Sequence, residues 1–456
     1  MSLTDAVLTD AVLSGAAPEE LARAPLPGTY TAAHLRVEDE NVFARADSGA
    51  DKDVRRTLHV GEVPMPELAP DEVLVAVMAS SVNYNTVWSA KFEPVSTFRF
   101  LRSYARQGGW ATRHDQPFHV LGSDAAGVVV RVGSGVRRRR IGDHVIVSPA
   151  HVDDQEPATQ TDGMLSEGQL AWGFETNYGG LAHYAVARAS QLIPKPPHLT
   201  WEEAAGIPVC GGTAYRMLVS DRGARMKQGD VVLIWGAAGG LGAYAAQLVR
   251  NGGGIAVGVV GSERKEAVAR RLGCQVVINR EEIGIGQDTG DDPEQAVKAG
   301  KRLGAIIRRE VGEDPHIAFE HVGRATFGIS VFVVRRGGTV VTCGSSTGYH
   351  HTFDNRYLWM KLKRIIGSHI ANLQEMTECA RLFEQGRIAP VISEVYPLAE
   401  VGEATRRVQL NQHIGKVGVL CLAPSPGLGV TAPEQRARIG EHALTPLRSF
   451  TAAAAG

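Results

Sequence analysis

The chain has few cysteines and almost no net charge, and each shortage argues against a class of function. Its five cysteines are scattered through 456 residues without a Cys-x-x-Cys pair, which argues against a zinc knot or a disulfide framework. The 48 Lys and Arg residues nearly balance the 49 Asp and Glu residues. No global electric field therefore attracts nucleic acid or an anionic membrane.

The chain also lacks long apolar runs. None is long enough to span a bilayer, and residues 1–21 show no basic region followed by an apolar core, the pattern of a secretory leader. A hydrophobic content of 44% is nevertheless enough for a large buried core. We therefore expect a cytoplasmic protein of two or three domains that binds neither membrane nor nucleic acid.

A glycine-rich turn is the clearest motif that the chain does contain. The apolar β-type run of residues 231–235 is followed by glycines at the spacing G-x-x-G-G-x-G and then by a helical apolar pattern. Glycine lets the backbone approach a diphosphate, and the helix start presents free N–H groups to it. This context favours a dinucleotide site over a glycine turn without a ligand. The residues predicted to form it are Gly236, Gly239, Gly240, Leu241 and Gly242.

The residues after the second predicted strand indicate which dinucleotide binds. A site for NAD usually places Asp or Glu there to bind the ribose hydroxyls. Here residues 255–260 are followed by Gly261, and then by Ser262, Arg264 and Lys265. A hydroxyl and two cations suit a 2′-phosphate, so NADPH is the predicted cofactor. Glu263 is the dissenting residue, and its alternative role is a solvent-facing helix start.

Strand and helix patterns alternate after the glycine turn, which predicts an α/β fold with a doubly wound parallel sheet. Before the turn, short alternating strands broken by prolines predict a small barrel-like β domain. The remaining strands of the parallel sheet are predicted at residues 255–260, 276–279, 317–320, 339–343 and 364–368.

These patterns divide the chain into four predicted segments. Residues 1–30 form a surface arm, 31–212 the first part of a catalytic domain, and 213–368 the dinucleotide domain. Residues 369–456 return to the catalytic domain with one amphipathic helix and a strand, and end in a mobile tail. A charged insertion at 280–314 is either a solvated face or a subunit or ligand contact through Lys298, Lys301 and Arg302.

Four motifs occur in the order typical of one superfamily. They are G-x-D-x-x-G at residues 122–127, GGTAYR at 211–216, the glycine turn, and GKVGVL at 415–420. The chain resembles the medium-chain dehydrogenase/reductase superfamily over nearly its whole length. Zinc-dependent members carry a histidine where this chain has Ser123, followed by Asp124, so the resemblance is to the zinc-free branch, without a metal site. It implies a GroES-like β-barrel catalytic domain and a Rossmann cofactor domain.

Longer segments narrow the resemblance. SSVNYNTVWSAKFEPVSTF, AWGFETNYGG, FEHVGR and DNRYLWMKLKRIIGSH look like the crotonyl-CoA carboxylase/reductase group. The resemblance implies hydride transfer from NADPH to the β-carbon of a 2-enoyl-CoA, attack of the resulting enolate on CO2 to give an alkylmalonyl-CoA, and a homotetramer. Two alternatives stay open: an NADPH-dependent enoyl-CoA or quinone reductase without carboxylation, and a silent NADPH-binding protein.

The resemblance implies that four residues of this chain form a CO2 pocket. It implies that Asn85 donates its amide to a CO2 oxygen, that Phe174 shields the site, and that Glu175 and His369 hold an ordered water. Each residue has a structural alternative: a turn cap for Asn85, core packing for Phe174, an exposed loop acid for Glu175 and a structural histidine for His369.

Further residues are predicted to contact the cofactor or the CoA handle. Thr213 and Tyr215 are candidates for the nicotinamide ribose, and His321, at a strand end, is structural or close to the cofactor. A basic cluster is either a CoA site or a solvated edge, and it comprises Arg356, Tyr357, Lys361, Lys363 and Arg364. A second candidate patch consists of Arg99, Arg102 and Arg106.

The chain departs from the crotonyl-specific pattern at two places. Gly211 and Gly212 stand where those proteins carry Asn-Ser, and Ile370 stands where they carry Phe. Smaller side chains imply a roomier or differently shaped pocket. We therefore expect a substrate longer or more branched than crotonyl-CoA, or a carrier-protein thioester.

Overall fold

The computed structural model describes residues 3–46 and 52–451. The chain divides into two compact units. Unit 1 takes the residues up to Val209 together with Asn372–Glu384 and Ile392–Glu441, and unit 2 takes Cys210–Ala371, Gln385–Val391 and the residues from His442. The first two residues of the predicted arm and the last five of the predicted tail lie outside the described ranges.

Eighteen strands are found in these ranges. In chain order they are β1 (Thr29–Arg36), β2 (His59–Pro64), β3 (Glu72–Ser81), β4 (Phe118–Val120), β5 (Ala126–Val132), β6 (His144–Val147), β7 (Ala150–His151), β8 (Leu170–Ala171), β9 (Tyr184–Arg188), β10 (Leu192–Pro194), β11 (Val231–Trp235), β12 (Ile255–Val260), β13 (Val276–Asn279), β14 (Ile317–Glu320), β15 (Thr339–Thr342), β16 (Arg364–Gly367), β17 (Ile392–Pro397) and β18 (Lys416–Leu420).

Seventeen α-helices accompany them in the same ranges. They are α1 (Leu3–Leu13), α2 (Pro18–Arg23), α3 (Tyr84–Lys91), α4 (Thr97–Ala105), α5 (Thr159–Asp162), α6 (Trp201–Ala205), α7 (Pro208–Leu218), α8 (Gly240–Asn251), α9 (Glu263–Arg271), α10 (Pro293–Val311), α11 (Phe327–Val333), α12 (Arg356–Trp359), α13 (Leu373–Glu384), α14 (Val401–Gln409), α15 (Pro433–Ile439), α16 (Glu441–Leu444) and α17 (Arg448–Thr451). No helix of this part of the chain is long and apolar enough to cross a bilayer.

The main sheet of unit 1 joins strands from both ends of the chain. Its order is β10-β6-β5-β3-β18-β17, and β9 pairs with β3 as well. The central strand β3 is buried along its whole length, as its apolar residues predict. β18 pairs antiparallel with β3 and parallel with β17, so the GKVGVL segment joins β17 to the strands of the N-terminal half. The predicted GroES-like β domain is confirmed.

Unit 2 contains a six-stranded parallel sheet of order β13-β12-β11-β14-β15-β16. Counted from β11, this is the order 3-2-1-4-5-6 of the doubly wound dinucleotide fold, and the predicted Rossmann domain is confirmed. The first four of its strands in chain order have the predicted bounds, and β15 and β16 each end one residue earlier than expected. Ligands in such sheets bind at the carboxyl ends of the strands, beside the switch in strand order.

Two segments at the ends of the chain differ from the sequence-based expectation. The predicted surface arm packs on unit 1: Leu8 and Leu21 are buried, and Arg131 donates to the Leu21 carbonyl at 2.8 Å. The return segment is predicted to contain one amphipathic helix, one strand and a mobile end. Its described residues contain the strands β17 and β18, the helices α13 and α14, and three further short helices, α15, α16 and α17. Helices α13 and α14 each bury one apolar face, as the helical spacing of their apolar residues requires.

Candidate active site

Asn85 lies at the start of α3, and its side-chain amide is held by Ser123. The Asn85 Nδ2 atom donates to Ser123 Oγ at 2.8 Å. Among the described residues, Asn85 Oδ1 is one of the few buried side-chain atoms without a hydrogen-bond partner. A buried polar atom without a partner is costly unless a ligand or a water supplies one. The amide is thus fixed at one end and available to a ligand at the other.

The loop that carries Ser123 is anchored by the next residue, Asp124, which is fully buried. Lys416 Nζ lies 2.9 Å from Asp124 Oδ2, and Asn83 Nδ2 donates to the same oxygen at 2.7 Å. The Val209 backbone N–H donates to Asp124 Oδ1 at 2.8 Å. A carboxylate that accepts this many donors fixes the loop firmly.

A contact between two glycines joins this loop to the Phe174 segment. The Gly122 N–H donates to the Gly173 carbonyl at 3.2 Å. Both glycines have positive φ, +112° and +68°, a conformation that a side chain disfavours. A Cβ atom on Gly173 would lie 2.0 Å from the Gly122 carbonyl oxygen. Ser123 and Phe174 each follow one of these glycines, so the structure brings the Asn85 and Phe174 segments together in unit 1.

Phe174 and Glu175 lie in the tight turn that follows β8, and both are half-buried. The Phe174 ring packs on Phe100 of α4, with ring centroids 5.8 Å apart. The Glu175 Oε2 atom accepts the Ala171 N–H at 2.7 Å. Burial raises the pKa of Glu175, and this hydrogen bond opposes the shift. An apolar wall and a carboxyl group with a raised pKa thus lie side by side.

His369 belongs to unit 2, where it follows β16 by two residues. Its pKa is lowered by partial desolvation and by the positive charge of Arg216, so the ring is neutral at pH 7. The next residue, Ile370, is buried and has a φ of +38°. A β-branched residue in this region is strained, and such strain concentrates at functional sites.

The predicted glycine turn has the geometry that a dinucleotide requires. Gly236 adopts a φ of +60°, and a Cβ atom on Gly242 would lie 2.3 Å from the Gly236 carbonyl oxygen. The turn therefore closes only around glycine, and α8 begins at Gly240 with Gly239 as its cap. Gly236, Gly239, Gly240 and Leu241 are half-exposed, so this surface is accessible to a diphosphate, and the residues fit the group.

Two residues of β14 and its end stabilise the turn from behind. His321 Nε2 donates to the Trp235 carbonyl at 2.8 Å, and burial lowers the pKa of His321. Trp235 Nε1 donates to Ser330 Oγ at 2.7 Å, which in turn donates to Glu320 Oε2 at 2.8 Å. Burial raises the pKa of Glu320. The hydrogen bond of His321 to the main chain favours a structural role over direct cofactor contact. The Trp235–Ser330–Glu320 network is not predicted from the sequence, because no local pattern connects these residues.

The residues predicted to bind the 2′-phosphate each make different contacts within the chain. Ser262 caps α9, accepting the Lys265 N–H at 3.4 Å. Arg264 Nη2 donates to the carbonyl of Phe450 at 2.9 Å, a partner far along the chain. Lys265 is half-buried. Thr213 is buried within α7, and its role at the nicotinamide ribose stays a prediction.

The predicted CoA cluster lies around the start of β16. Because the sheet is parallel, this is the amino end of the strands, whereas the glycine turn follows the carboxyl end of β11. Lys363 Nζ donates to the Val331 and Phe332 carbonyls at 2.8 and 2.9 Å, and Arg356 Nη2 lies 2.6 Å from Asp354 Oδ2. Tyr357 packs on the Phe332 ring, and Lys361 is exposed. These contacts are compatible with the structural alternative, and the CoA role stays a prediction.

The second basic patch lies on α4. Arg99, Arg102 and Arg106 are exposed on one face of that helix and its end, opposite the buried Phe98 and Leu101. Arg102 is 3.8 Å from Glu40, a weak pair at this exposure. Within residues 3–46 and 52–451, no group of three or more His, Cys, Asp or Glu side chains is arranged to hold a metal ion.

Comparison with known families matches both units. Residues 69–197 match the alcohol dehydrogenase GroES-like domain, and residues 240–385 match the zinc-binding dehydrogenase family. Together with the β-barrel sheet and the 3-2-1-4-5-6 parallel sheet, these matches define a medium-chain dehydrogenase/reductase.

Individual relatives narrow the class. The chain is 50% identical to a crotonyl-CoA reductase of Streptomyces collinus over 94% of its own length and 96% of that protein. It is 40% identical to the crotonyl-CoA carboxylase/reductase of Cereibacter sphaeroides, covering 82% and 86%. The solved 2-octenoyl-CoA carboxylase reductase CinF, in complex with NADP and 2-octenoyl-CoA, is 66% identical with a TM-score of 0.95, covering 98% of this chain and 100% of that one. The chain belongs to the crotonyl-CoA carboxylase/reductase group.

Proposed function

We propose that this chain catalyses the NADPH-dependent reductive carboxylation of a 2-enoyl-CoA, giving an alkylmalonyl-CoA. The observation that carries the proposal is the Asn85 amide, fixed by Ser123 with one buried atom left for a ligand. Membership of the carboxylase/reductase group supports it. NADPH, when bound on the glycine turn, supplies the hydride that adds to the β-carbon.

The remaining work of the protein is to hold CO2 over the α-carbon and to exclude water. CO2 has weak acceptor oxygens, so a fixed donor that needs no reorganisation suits it. With Nδ2 bonded to Ser123, the amide oxygen faces the ligand. Reversing the amide lets the Ser123 hydroxyl donate to that oxygen and turns the NH2 group, the donor that CO2 requires, towards the ligand. Either orientation keeps one hydrogen bond to Ser123, which limits where the amide can move.

Phe174 and Glu175 are the other two residues of unit 1 that we propose for the CO2 site. The Phe174 ring, backed by Phe100, keeps water from an enolate that would otherwise be protonated. One Glu175 oxygen is committed to the Ala171 N–H, which leaves the other for an ordered water. For His369, which belongs to unit 2, we propose a role in carboxylation, as the family resemblance implies, and its lowered pKa keeps the ring neutral near pH 7.

The acyl chain is proposed to be longer than crotonyl, with 2-octenoyl-CoA as the reference substrate. Gly211 and Gly212 carry no side chains where crotonyl-specific proteins have Asn-Ser, and the related CinF structure contains 2-octenoyl-CoA. The test is kcat/KM with enoyl-CoAs of four to ten carbons. The proposal expects a maximum near eight carbons, and a sharp optimum at four carbons would reject it.

The experiment for the reaction itself combines NADPH consumption with product mass, with and without 13C-labelled bicarbonate. The proposal expects a carboxylated product containing one labelled carbon. A saturated acyl-CoA as the only product, formed at the same rate without bicarbonate, would instead establish the alternative, an enoyl-CoA reductase.

Copies of the chain are proposed to assemble as a homotetramer in the cytoplasm. β16 is the edge strand of the parallel sheet and is largely exposed. Trp359 and Leu362 beside it are 60% and 66% exposed. An apolar strand edge is a ready site for pairing with a second copy. Light scattering should give a tetramer, and Ile365→Lys on the edge should yield smaller species.

The proposed location in the cytoplasm is supported by the cysteines, because the five free thiols suit a reducing compartment.

A further inference from the structure

The ends of β12 and β13 lie side by side at the carboxyl edge of the parallel sheet. Val260 and Asn279 are register partners, and the Arg280 N–H donates to the Val260 carbonyl at 2.8 Å. Because the strands are parallel, the residues that follow them, Gly261 and Arg280, become neighbours. This is the edge at which the glycine turn follows β11.

The Arg280 side chain lies over Gly261. A Cβ atom on Gly261 would lie 2.9 Å from Arg280 Nε and 3.3 Å from Nη2, so the guanidinium occupies the space that a side chain at 261 would fill. Arg280 Nη1 donates to the Ile285 carbonyl at 3.1 Å, and Nη2 lies 3.7 Å from the exposed carboxylate of Glu281. The Ile285 contact positions the group and leaves other N–H donors for a ligand.

Positive charge is concentrated at this place. The pKa of Lys265 is lowered by partial burial and by the nearby charges of Arg280 and Arg264. Of these cations, Arg264 is engaged with the Phe450 carbonyl. The acidic residues of the same helix do not neutralise the group: Glu263 is exposed, and Glu266 accepts the Asn279 amide at 3.2 Å.

We propose that Arg280, with Lys265, binds the 2′-phosphate of NADP(H) and is a determinant of cofactor choice. In this fold the residue that ends the second strand meets the adenosine ribose, and NAD-binding proteins place an acid there. Here that residue is Gly261, and the neighbouring strand places a cation over it. A guanidinium matches a phosphate with paired hydrogen bonds. The inference rests on the NADPH use in the proposed function.

The test measures binding to the full chain and does not depend on turnover. Dissociation constants of NADPH, NADH, 2′,5′-ADP and 5′-AMP are determined for Arg280→Ala, Arg280→Lys and the unsubstituted chain. Arg308→Ala is the matched control, because Arg308 is exposed and pairs with Asp314 on the surface. We expect Arg280→Ala to weaken NADPH and 2′,5′-ADP about ten- to a hundredfold, the range for lost hydrogen bonds to a charged group. NADH and 5′-AMP should change less than about twofold, and Arg280→Lys should restore part of the loss.

A second variant changes Gly261, the residue that the Arg280 side chain covers. Gly261→Asp places an acid under Arg280 and should lower the NADPH to NADH preference. If Arg280→Ala weakens NADPH and NADH equally, or changes neither, the assignment is wrong while the proposed reaction stands. If the unsubstituted chain binds NADH and not NADPH, the proposed function fails as well.

Discussion

Lys416 Nζ lies 2.9 Å from Asp124 Oδ2 across 292 positions of the chain, and both side chains are buried. The pair joins the G-x-D-x-x-G loop after β4 to the GKVGVL strand β18. Asn83 contacts both members, donating to Asp124 and accepting from Lys416 at 2.6 Å. A pair removed from water in this way specifies one arrangement of the loop that carries Ser123.

Removing one member of this pair should be strongly destabilising. Lys416→Ala leaves the Asp124 carboxylate buried without its cation, which costs about 3–5 kcal/mol. The urea midpoint of unfolding should fall accordingly. Arg36→Ala, which breaks an exposed pair with Glu38, is the control and should cost less than about 1 kcal/mol. Similar midpoints for the two variants would show that the buried pair does not anchor the loop.

The glycine contact between the two CO2-site segments predicts a second stability effect. Gly173→Ala forces a Cβ atom towards the Gly122 carbonyl and disfavours the positive φ. Gly109 has a φ of +56° but open space around it, so Gly109→Ala isolates the backbone penalty of about 1 kcal/mol. We expect Gly173→Ala to lower the unfolding free energy by at least about 1 kcal/mol more than the control. Equal losses of unfolding free energy in the two variants would show that close packing of Gly173 on Gly122 adds nothing to the backbone penalty.

Ser123 should act on carboxylation through Asn85. Ser123→Ala frees the amide, so the ratio of carboxylated to reduced product should fall a few-fold, about the effect of one hydrogen bond. Ser123→Thr keeps a hydroxyl and should recover most of the ratio. In the background of Asn85→Ala, the Ser123→Ala change should have no further effect on the ratio. A further drop there would show that Ser123 acts independently of the amide.

His119 is predicted to make stability depend on pH. Burial lowers its pKa to about 4, against 6.5 in the unfolded chain, so the unfolded state takes up the proton first as pH falls. Its contribution is fully present above pH 6.5 and is lost between pH 6.5 and 4, by roughly 3 kcal/mol in total. His119→Gln should flatten the unfolding free energy in that window relative to the unsubstituted chain. An unchanged pH dependence would contradict the assignment.

Much of unit 2 could be predicted from the sequence because its signals are local. Short apolar runs predict β11–β14 with their observed bounds, and the G-x-x-G-G-x-G spacing predicts the turn. What depends on distant partners could not be predicted in this way. The Asp124–Lys416 pair and the binding of Arg264 to Phe450 join residues that no local pattern connects.

Arg280 is an intermediate case. The strand that it follows, β13, has the predicted bounds. A cation directly after the strand that pairs with β12 is a signal that the sequence contains. Parallel register would have placed it beside Gly261. Arg280 also begins the charged stretch at 280–314, whose composition is typical of a solvated face, so composition alone does not indicate a ligand contact there.

The central claim is that a fixed amide holds CO2 for an enolate protected from water. It is tested most directly by the ratio of 13C-carboxylated to reduced acyl-CoA formed by Asn85→Ala, with Asn251→Ala, an exposed residue at the end of α8, as the control. The account predicts that Asn85→Ala lowers this ratio at least about tenfold while NADPH is still oxidised, and that the control leaves it unchanged. An unchanged ratio in Asn85→Ala would contradict it.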